Sequence, residues 1–583
     1  MSEARIRWIS GPVLRAGTSD IFHVYEAIAV GPRALLGEVI KLGPDDFVAQ
    51  VYEDTTGLKP GDAVTGTGQP LSIPLGPGIL GHIFDGLLRP LNASEGPFIQ
   101  PGAGHPPALR FAFEPTVRPG EPVGPGQAIG RVATPRPQLC LVPPGIRPGI
   151  VRWVASAGEH SDDEPICRVE HEDGATHEFA LTHAWPVRRA RPVSQRLSIA
   201  GPMITGQRIL DMLFPVGRGS RAALPGGFGT GKTVLQETLA KWCDADIIVY
   251  VGCGERGNEM AEVLDEFPNL QDPRSGRPLM ERTVIIANTS NMPVAAREAS
   301  IYTAITIAEY FRDQGLHVAL MADSTSRWAE ALREVSGRLE ELPGEAGYPA
   351  YLSSRLAEFY ERAGRVSTLA GTEGSVTIIG AISPPAGDFS EPVTMHTRRC
   401  VRTFWALDRG RAQARFYPAI HPLQSYSGDV DALARWWQVQ GNPDWAAQRK
   451  RLLEILEAQT QLERMALIVG MDALPPSQQL TLSCAALVND AILRQSSFSE
   501  VDRYCSPQRQ TAILSVIIRF IDLARGAVDG GVHPDRIREL PVRRTLQRIG
   551  EEFGEDQIPK IRALWQQLDS EFSHLPREQA DEG

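Results

Sequence analysis

A glycine-rich run that ends in a lysine and a threonine has the residue types and spacing that point most directly to chemistry. Residues 226–233 read Gly-Gly-Phe-Gly-Thr-Gly-Lys-Thr, which fits the pattern G-x-x-x-x-G-K-[ST], and residues 234–242 can form a helix behind it. Glycines let the backbone curl so that several N–H groups point at a phosphate. Lys232 would place its charge on the β- and γ-phosphates, and Thr233 would offer its hydroxyl to Mg²⁺. The alternative, a glycine-rich turn with an incidental lysine, is disfavoured by the strands and helices predicted around it.

Two acidic residues stand where predicted apolar strands end. Glu255 follows the apolar residues 246–253, and Asp323 follows residues 317–322. A carboxylate at the tip of a strand beside a phosphate loop can orient an attacking water, which is the role we expect of Glu255. The alternative for Glu255 is a surface ion pair with Arg256. We expect Asp323 to hold Mg²⁺, partly through water, and its alternative is a helix N-cap.

Four further side chains are candidates with an open alternative each. Glu259 belongs either to the network around the water or to the solvated surface. Arg327 either binds phosphate or pairs with Asp323, and the sequence does not separate these two. Tyr417 and Tyr504 are aromatic candidates for stacking on adenine, although an isolated tyrosine is more often part of a core or a surface.

The elements that must position these residues alternate between strands and helices from residue 197 to about residue 407. The predicted strands share an apolar composition, and the helix at residues 294–314 carries Ile301, Ile305 and Phe311 on one face. Alternating strands and helices imply a largely parallel sheet, with ligands at the C-terminal ends of its strands. The strands are expected at residues 246–252, 283–287, 317–322 and 375–382.

The rest of the chain differs in composition from this central part. Short apolar runs between turn residues predict a β-barrel at the N-terminus, and a Pro/Gly-rich stretch, residues 98–169, predicts a second β-rich module. Strand signals end after residue 429, and three helices are expected at Trp445–Val469, 478–495 and 509–527. The predicted units are a β-barrel (1–70), a connection (71–97), a β-rich insertion (98–190), a P-loop nucleotide-binding domain (191–435) and an α-helical domain (436–583).

Composition excludes several classes of function. The 583 residues are 42% hydrophobic and 22% charged, and the formal net charge of -11 disfavours a sequence-independent grip on nucleic acid. No run reaches the roughly 18 apolar residues of a membrane-spanning helix, and the N-terminus lacks an apolar signal core. We therefore expect residence in the cytosol, with the seven cysteines reduced and no metal-ligand role for them.

Several strings of residues resemble the catalytic A subunit of V/A-type rotary ATPases. The resemblance runs from the first strand to about Pro507 and so covers nearly the whole chain. The module at residues 98–169 is similar to the insertion that separates V/A catalytic subunits from F-type β subunits and from export ATPases. The G-K-T loop separates the chain from the non-catalytic B subunit. The strings that carry the resemblance are residues 185–189, 226–233, 252–260, 321–334, 383–392 and 469–475.

The resemblance implies an α/β P-loop (RecA-like) fold and a role for each candidate residue. Glu255 would activate water, Lys232 and Arg256 would stabilise the γ-phosphate, and Thr233 and Asp323 would hold Mg²⁺, partly through water. ATP and ADP would be the substrates. The implied nucleotide contacts are Gly226, Gly227, Phe228, Gly229, Thr230, Gly231, Lys232, Thr233, Val234, Glu259, Arg327, Tyr417 and Tyr504.

The resemblance also implies an assembly and a reaction. The chain would alternate with a non-catalytic B subunit in an A3B3 hexamer, and the B subunit would supply an arginine finger. Central and peripheral stalks would connect this head, on the cytoplasmic side of the membrane, to an ion-translocating sector. ATP would be made from ADP and phosphate by an ion gradient, or hydrolysed to pump ions.

Two other functions compete with this one. A homohexameric export-type P-loop ATPase is disfavoured by the module at residues 98–169, and an inert nucleotide-binding scaffold would have lost Lys232 or Glu255. The sequence leaves open the physiological direction, the ion (H⁺ or Na⁺), the residues that contact the central stalk, and the role of the acidic tail after Arg577.

Overall fold

The first strands of the chain close into a six-stranded antiparallel barrel. The structure is a computed structural model and describes residues 2–91, 102 and 108–575. Alternate side chains such as Ile6, Leu14 and Phe47 fill the barrel because successive residues of a strand point to opposite faces. The strands are β1 (Glu3–Ser10), β2 (Val13–Gly17), β3 (Glu26–Val30), β4 (Leu35–Leu42), β5 (Asp46–Val51) and β6 (Ala63–Pro70), paired around the barrel in the order β1-β2-β5-β4-β3-β6.

Two four-stranded antiparallel sheets form the next unit and share one apolar core, which includes Phe113, Ile129, Val151 and Ile166. The start expected at residue 98 lies outside the described residues. The strands from here to the central sheet are β7 (Ser72–Leu75), β8 (Ile83–Phe84), β9 (Arg110–Pro115), β10 (Pro122–Val123), β11 (Ala128–Val132), β12 (Gln138–Leu141), β13 (Gly149–Val154), β14 (Gly158–Ser161), β15 (Pro165–Glu170), β16 (Thr176–Ala180) and β17 (His183–Pro186). The two sheets have the orders β10-β13-β15-β16 and β12-β11-β9-β14, and β7 pairs with β17.

A ten-stranded, largely parallel sheet lies at the centre of the molecule. Its strands are β18 (Gln195–Leu197), β19 (Arg221–Pro225), β20 (Ile247–Glu255), β21 (Thr283–Thr289), β22 (His317–Asp323), β23 (Gly364–Ser367), β24 (Glu373–Ile382), β25 (Thr403–Phe404) and β26 (Tyr426–Ser427), together with β8. The order is β26-β25-β19-β24-β22-β20-β21-β8, and β18 and β23 attach beside β24. The middle strands are buried along their length, as expected for a parallel sheet covered on both faces. The predicted α/β class is confirmed, and each predicted strand is present.

Helices cover both faces of this sheet. The helix predicted at residues 294–314 is present as a twenty-residue helix that is buried along almost its whole length. The helices are α1 (Lys232–Trp242), α2 (Gly257–Glu266), α3 (Val294–Asp313), α4 (Thr325–Arg338), α5 (Leu352–Glu361), α6 (Pro392–Cys400) and α7 (Arg409–Gln413), with a π-helical turn at Ile209–Leu213. Short 3₁₀ turns lie at Pro77–Ile79, Phe267–Asn269, Leu279–Arg282, Glu345–Gly347 and Pro385–Gly387.

A buried ion cluster joins the barrel to α3. Arg188 Nη2 lies 2.8 Å from Glu38 Oε2 of β4 and 2.8 Å from Glu298 Oε2 of α3. The Tyr52 hydroxyl donates to the same Glu38 oxygen at 2.6 Å. Because a buried charge is costly unless it is paired, these contacts must form together. The cluster fixes the barrel against the beginning of α3.

Helices make up the C-terminal part of the described chain. The predicted helix Trp445–Val469 has these same bounds, and the other two predicted helices are present with shifted ends. The elements are α8 (Val430–Val439), α9 (Trp445–Val469), α10 (Pro476–Val488), a π-helical turn (Asn489–Leu493), α11 (Pro507–Asp529), α12 (Pro534–Arg538), α13 (Pro541–Gln547), α14 (Ile549–Glu552), a 3₁₀ turn (Glu555–Gln557) and α15 (Ile558–Ser573). The acidic tail after Arg577 lies outside the described residues. Within the described ranges, no helix is both long and apolar enough to cross a membrane.

Candidate active site

Four neighbouring strands of the central sheet end at one place. The order β19-β24-β22-β20 brings together the residues at or just beyond their C-terminal ends: Gly226, Ser383, Asp323 and Glu255. All four strands run parallel, since β24 pairs with β19 and β22, and β20 pairs with β22. The sheet therefore collects a phosphate loop and two carboxylates at a single edge, as the sequence predicted.

The glycine-rich loop between β19 and α1 has the backbone of a phosphate cradle. Gly229 and Gly231 adopt φ of 75° and 80°, a left-handed conformation that favours glycine. The Thr230 hydroxyl donates to the Gly227 carbonyl at 2.8 Å and holds the curl. The loop leads directly into α1, whose first N–H groups have no partner within the helix. The loop and the helix end together offer N–H donors to an anion.

Lys232, the first residue of α1, extends across the end of β24. Its Nζ donates to the Ser383 hydroxyl at 2.5 Å and lies 3.1 Å from Asp323 Oδ1. Burial alone would lower the pKa of this ammonium, but the carboxylates of Asp323 and Glu255 outweigh it, and the pKa is raised. Lys232 is therefore a firmly charged cation inside a largely closed site.

Asp323 ends β22 and is only 2% exposed. Its Oδ2 accepts a hydrogen bond from the Tyr250 hydroxyl at 3.3 Å. Burial raises the pKa of this carboxyl, and the charge of Lys232 opposes that rise. The N-cap of α4 is Ser324 and not Asp323, so the N-cap alternative does not hold. The carboxylate remains available for a cation.

Glu255 ends β20 and is 7% exposed. Its carbonyl accepts from the Ser290 N–H at 2.8 Å, while its Oε1 is buried without a hydrogen-bond partner in the described part of the chain. Burial raises the pKa of the carboxyl, and Lys232 opposes that shift. The surface ion pair with Arg256 does not form: Glu255 is buried, and the Arg256 guanidinium lies instead over the Phe228 ring, 5.2 Å from its centre. Glu255 is thus a buried carboxyl with an oxygen free for a ligand.

The two other charged candidates lie around Glu255. Glu259 is in the first turn of α2, and its charge adds to the rise of the Glu255 pKa. Arg327 Nη1 lies 2.9 Å from Glu330 Oε2, so the alternative of a pair with Asp323 does not hold. A Cβ built on Gly254 would lie 3.0 Å from the Arg327 Cβ, which places α4 directly against the end of β20.

A cavity of about 880 Å³ extends from the phosphate loop towards the C-terminal helices. Tyr417, 44% exposed, lies over the loop, since a Cβ on Gly231 would be 3.3 Å from its ring. Phe498, which is 95% exposed, also lines the cavity. The lining residues that belong to the loop and α1 include Gly229, Gly231 and Val234, and those from the helical part include Asp490, Arg494, Gln495, Phe498, Gln547, Arg548 and Glu551.

Four family models match successive parts of the chain. The β-barrel domain of the ATP synthase alpha/beta family matches residues 6–68, and the barrel-sandwich domain of its subunits matches residues 107–188. The nucleotide-binding domain of that family matches residues 206–427, which contain the whole phosphate end of the site described above. The C-terminal domain of V and A type ATP synthases matches residues 434–536.

Curated relatives match over nearly the full chain. The A subunit of the A-type ATP synthase of Methanopyrus kandleri is 50% identical over 580 residues, which cover 98% of each chain. That of Thermococcus kodakarensis is 50% identical over 583 residues, covering 98% of this chain and 99% of the relative. The chain belongs to the family of A-type ATP synthase A subunits. It is a catalytic subunit of a rotary ATP synthase, which makes or hydrolyses ATP in a multisubunit complex with coupling to ion transport.

A solved structure with a similar fold is the assembled ATPase EscN from the type III secretion system of enteropathogenic E. coli. It is 22% identical, with a TM-score of 0.63 over 88% of this chain and 100% of that one. At this identity the likeness concerns the fold alone. The A-subunit resemblance predicted from sequence is therefore confirmed by the full-length relatives, and the export-type alternative gains no support.

Of the two aromatic residues that the sequence predicts at the adenine, the structure places one at the cavity and one away from it. Tyr417 lies at the cavity, but Tyr504 stacks on Trp242, with ring centroids 5.2 Å apart and planes 25° apart, and does not belong to the cavity lining. The sequence prediction missed Phe498. An aromatic residue among serines, in Ser-Ser-Phe-Ser at residues 496–499, was the available signal.

Proposed function

We propose that this chain binds MgATP with its phosphates under the loop of residues 226–233, and that Glu255 orients the attacking water. The observation that carries this proposal is the buried Glu255 carboxyl, whose Oε1 has no partner among the described residues. It stands one strand away from Asp323 and close enough to Lys232 to feel its charge. A carboxylate so placed accepts a hydrogen bond from water and aims it at the terminal phosphate.

Charge neutralisation falls to Lys232 and Arg256 in this proposal. Lys232 is held at the end of β24 and faces the phosphates, while Arg256 begins the turn after Glu255. A loose phosphoryl-transfer transition state spreads negative charge over the oxygens, so fixed cations lower its energy. In the synthesis direction the same two cations would hold free phosphate against ADP. Glu259 and Arg327 are proposed to support this network from α2 and α4.

The residues present fit Mg²⁺. Thr233 offers a hydroxyl in the first turn of α1, and Asp323 offers a buried carboxylate whose Oδ1 lies 3.1 Å from the Lys232 ammonium. Oxygen donors of this kind suit a small divalent cation that keeps several waters. When bound, Mg²⁺ would neutralise charge on the β- and γ-phosphates.

The adenine is proposed to lie between Tyr417 and Phe498. Both rings are substantially exposed and face the same cavity, next to the loop that would hold the phosphates. Exposed aromatic faces stack well on a base because every base has a π-face. Tyr504 is proposed to support this region from behind, through its stacking on Trp242.

The assembly around this chain is proposed to be an alternating A3B3 hexamer with a non-catalytic B subunit that contributes an arginine. Phe228, at the tip of the phosphate loop, is 84% exposed, so a neighbouring subunit can reach the phosphate end. Stalk subunits and a membrane ion-translocating sector would complete the complex, with this head on the cytoplasmic side. We propose units 1–70, 71–97, 98–190, 191–435 and 436–583, which serve as barrel, connection, insertion, nucleotide-binding domain and helical domain.

The test is Glu255→Gln, which keeps the shape of the side chain and removes the base. We expect nucleotide affinity to stay within about twofold and steady-state hydrolysis to fall about 10³-fold, as for the loss of a positioned general base. Hydrolysis is measured for the chain alone and with the B subunit, and nucleotide binding by fluorescence titration. The proposed assembly requires the wild-type rate to rise strongly with the partner.

The matched control is Glu262→Gln, the same change on an exposed carboxylate of α2, and it should leave both quantities unchanged. Wild-type turnover in Glu255→Gln would overturn the assignment of Glu255. Full activity of the chain without the B subunit would overturn the proposed completion of the site by a neighbour.

A further inference from the structure

Ser383 is the first residue after β24, the strand that lies between the phosphate loop and Asp323. Its backbone is fixed from both sides. The Ser383 N–H donates to the Ser326 hydroxyl at 2.9 Å, and the preceding carbonyl, of Ile382, accepts from the Gly226 N–H at 3.0 Å. One residue earlier, the Ala381 carbonyl accepts from the Thr325 hydroxyl at 3.0 Å. The position of Ser383 is therefore set by the phosphate loop and by α4 together.

The hydroxyl of Ser383 accepts a hydrogen bond but does not donate one within the described residues. Its oxygen accepts from Lys232 Nζ at 2.5 Å, and the same ammonium lies 3.1 Å from Asp323. Among the described residues, the hydroxyl donates to no acceptor. A serine hydroxyl has one proton to donate as well as two lone pairs, so this proton is free for a ligand. The side chain is half-buried at the edge of the site.

We propose that Ser383 is a positioning residue for the terminal phosphate, a proposal that rests on the function proposed above. Its oxygen holds the Lys232 ammonium, and its proton is donated to the phosphate oxygen that Lys232 binds. The ligand is the terminal phosphate of a nucleoside triphosphate, or free orthophosphate before synthesis. A nucleoside diphosphate has no group at this place. Ser383 thus lets the site distinguish a nucleoside triphosphate, or a diphosphate together with orthophosphate, from a diphosphate alone.

The alternative is that Ser383 matters only for the local fold. Both fixing hydrogen bonds next to it use main-chain atoms, Ser383 N and the Ile382 carbonyl, and do not need the side chain. Ser383→Ala therefore removes the hydroxyl and leaves the backbone contacts with Ser326 and Gly226 intact. Ser383→Thr keeps a hydroxyl at the same position. These two variants separate the proposed role from a structural one.

The experiment measures the dissociation constants of MgATP and MgADP, and the KM for orthophosphate in synthesis, on the assembled complex. In Ser383→Ala we expect affinity for MgATP and for orthophosphate to fall about tenfold, as for the loss of one charge-assisted hydrogen bond. Affinity for MgADP should stay within about twofold, because ADP lacks the terminal phosphate. Ser383→Thr should restore the wild-type ratio of the two nucleotide affinities.

The matched control is Ser390→Ala, a serine nearby whose hydroxyl donates to Asp388 at 2.7 Å, and it should change none of these values. Equal weakening of ATP and ADP in Ser383→Ala, or no weakening of either, would overturn the proposal. If the affinity for MgATP falls but the KM for orthophosphate does not change, the part of the proposal that concerns synthesis would be overturned. A failure here leaves the proposed function intact, since that depends on Glu255→Gln and on the partner subunit.

Discussion

The two ends of the proposed nucleotide site, one for the phosphates and one for the adenine, are built in different ways. The phosphate end consists of residues at neighbouring strand ends of one sheet, and its charged groups, Lys232, Asp323 and Glu255, are largely closed off from solvent. The adenine end is assembled from the chain around Tyr417, the loop at Phe498 and the helices near residues 547–551, and its rings are exposed. Sheet topology fixes the first end, whereas the second depends on how the helical part packs. We therefore expect the two ends to respond differently to substitution.

The largest effect is expected at the phosphate end, from Lys232→Gln. The change leaves Asp323 and Glu255 facing each other without the buried cation between them and removes the charge on the phosphates. We expect kcat/KM for ATP to fall about 10³-fold or more, because charge neutralisation is most of the catalysis in phosphoryl transfer. Steady-state hydrolysis measures it, with Lys241→Gln on the same helix as the control. A loss below tenfold would mean that the loop and α1 hold the phosphates unaided.

A smaller effect is expected at the adenine end, from Tyr417→Ala and Phe498→Ala. Each should weaken ATP binding about tenfold, the cost of one base–aromatic stack, and leave the affinity for inorganic tripolyphosphate unchanged. Competition titrations with the two ligands measure the difference between the ends directly. Tyr504→Ala is the control: it loses the stacking on Trp242 and should lower the melting temperature while the ATP affinity stays near wild type. If Tyr504→Ala lowers the affinity for ATP more than Phe498→Ala does, then Phe498 is wrongly assigned as a residue that stacks on adenine.

The smallest expected effect is the pH dependence of hydrolysis, which arises at the phosphate end. Burial raises the pKa of Glu255 above its ordinary value, and the base works only when ionised. As the pH falls through this raised pKa, the carboxyl takes up a proton and hydrolysis declines, beginning at a higher pH than for an exposed glutamate. A pH–rate profile of wild type measures this acid limb, which should vanish from the residual rate of Glu255→Gln. The same limb in the variant would mean that another group titrates.

The phosphate end could be predicted from sequence because each of its residues follows a recognisable strand or belongs to one contiguous pattern. Predicting Glu255 and Asp323 required only the rule that the C-terminal ends of parallel strands lie at the same edge of a sheet. The adenine end could not be predicted in this way, because Phe498 and Arg548 have no pattern that joins them to Tyr417 before the chain folds. The resemblance named Tyr504, six residues from Phe498, and the structure places its ring against Trp242.

The helix predicted at residues 478–495 shows the same limit. The α-helix ends at Val488, and the next turn widens to a π-helix before the Gln495 N–H donates to the Tyr417 carbonyl at 2.9 Å. Just beyond the end of the regular helix, the chain therefore contacts a residue about eighty positions away. Periodicity along the chain contains no information about that contact.

The Arg188 cluster ties the barrel to α3, and α3 packs against β20 and β22 of the central sheet. Phe498 and Arg548, by contrast, lie in a loop and at a junction of two short helices, and neither residue belongs to this cluster. A displacement of that loop and junction relative to the sheet would therefore change the proposed contacts to the base and leave the residues proposed to hold the phosphates where they are.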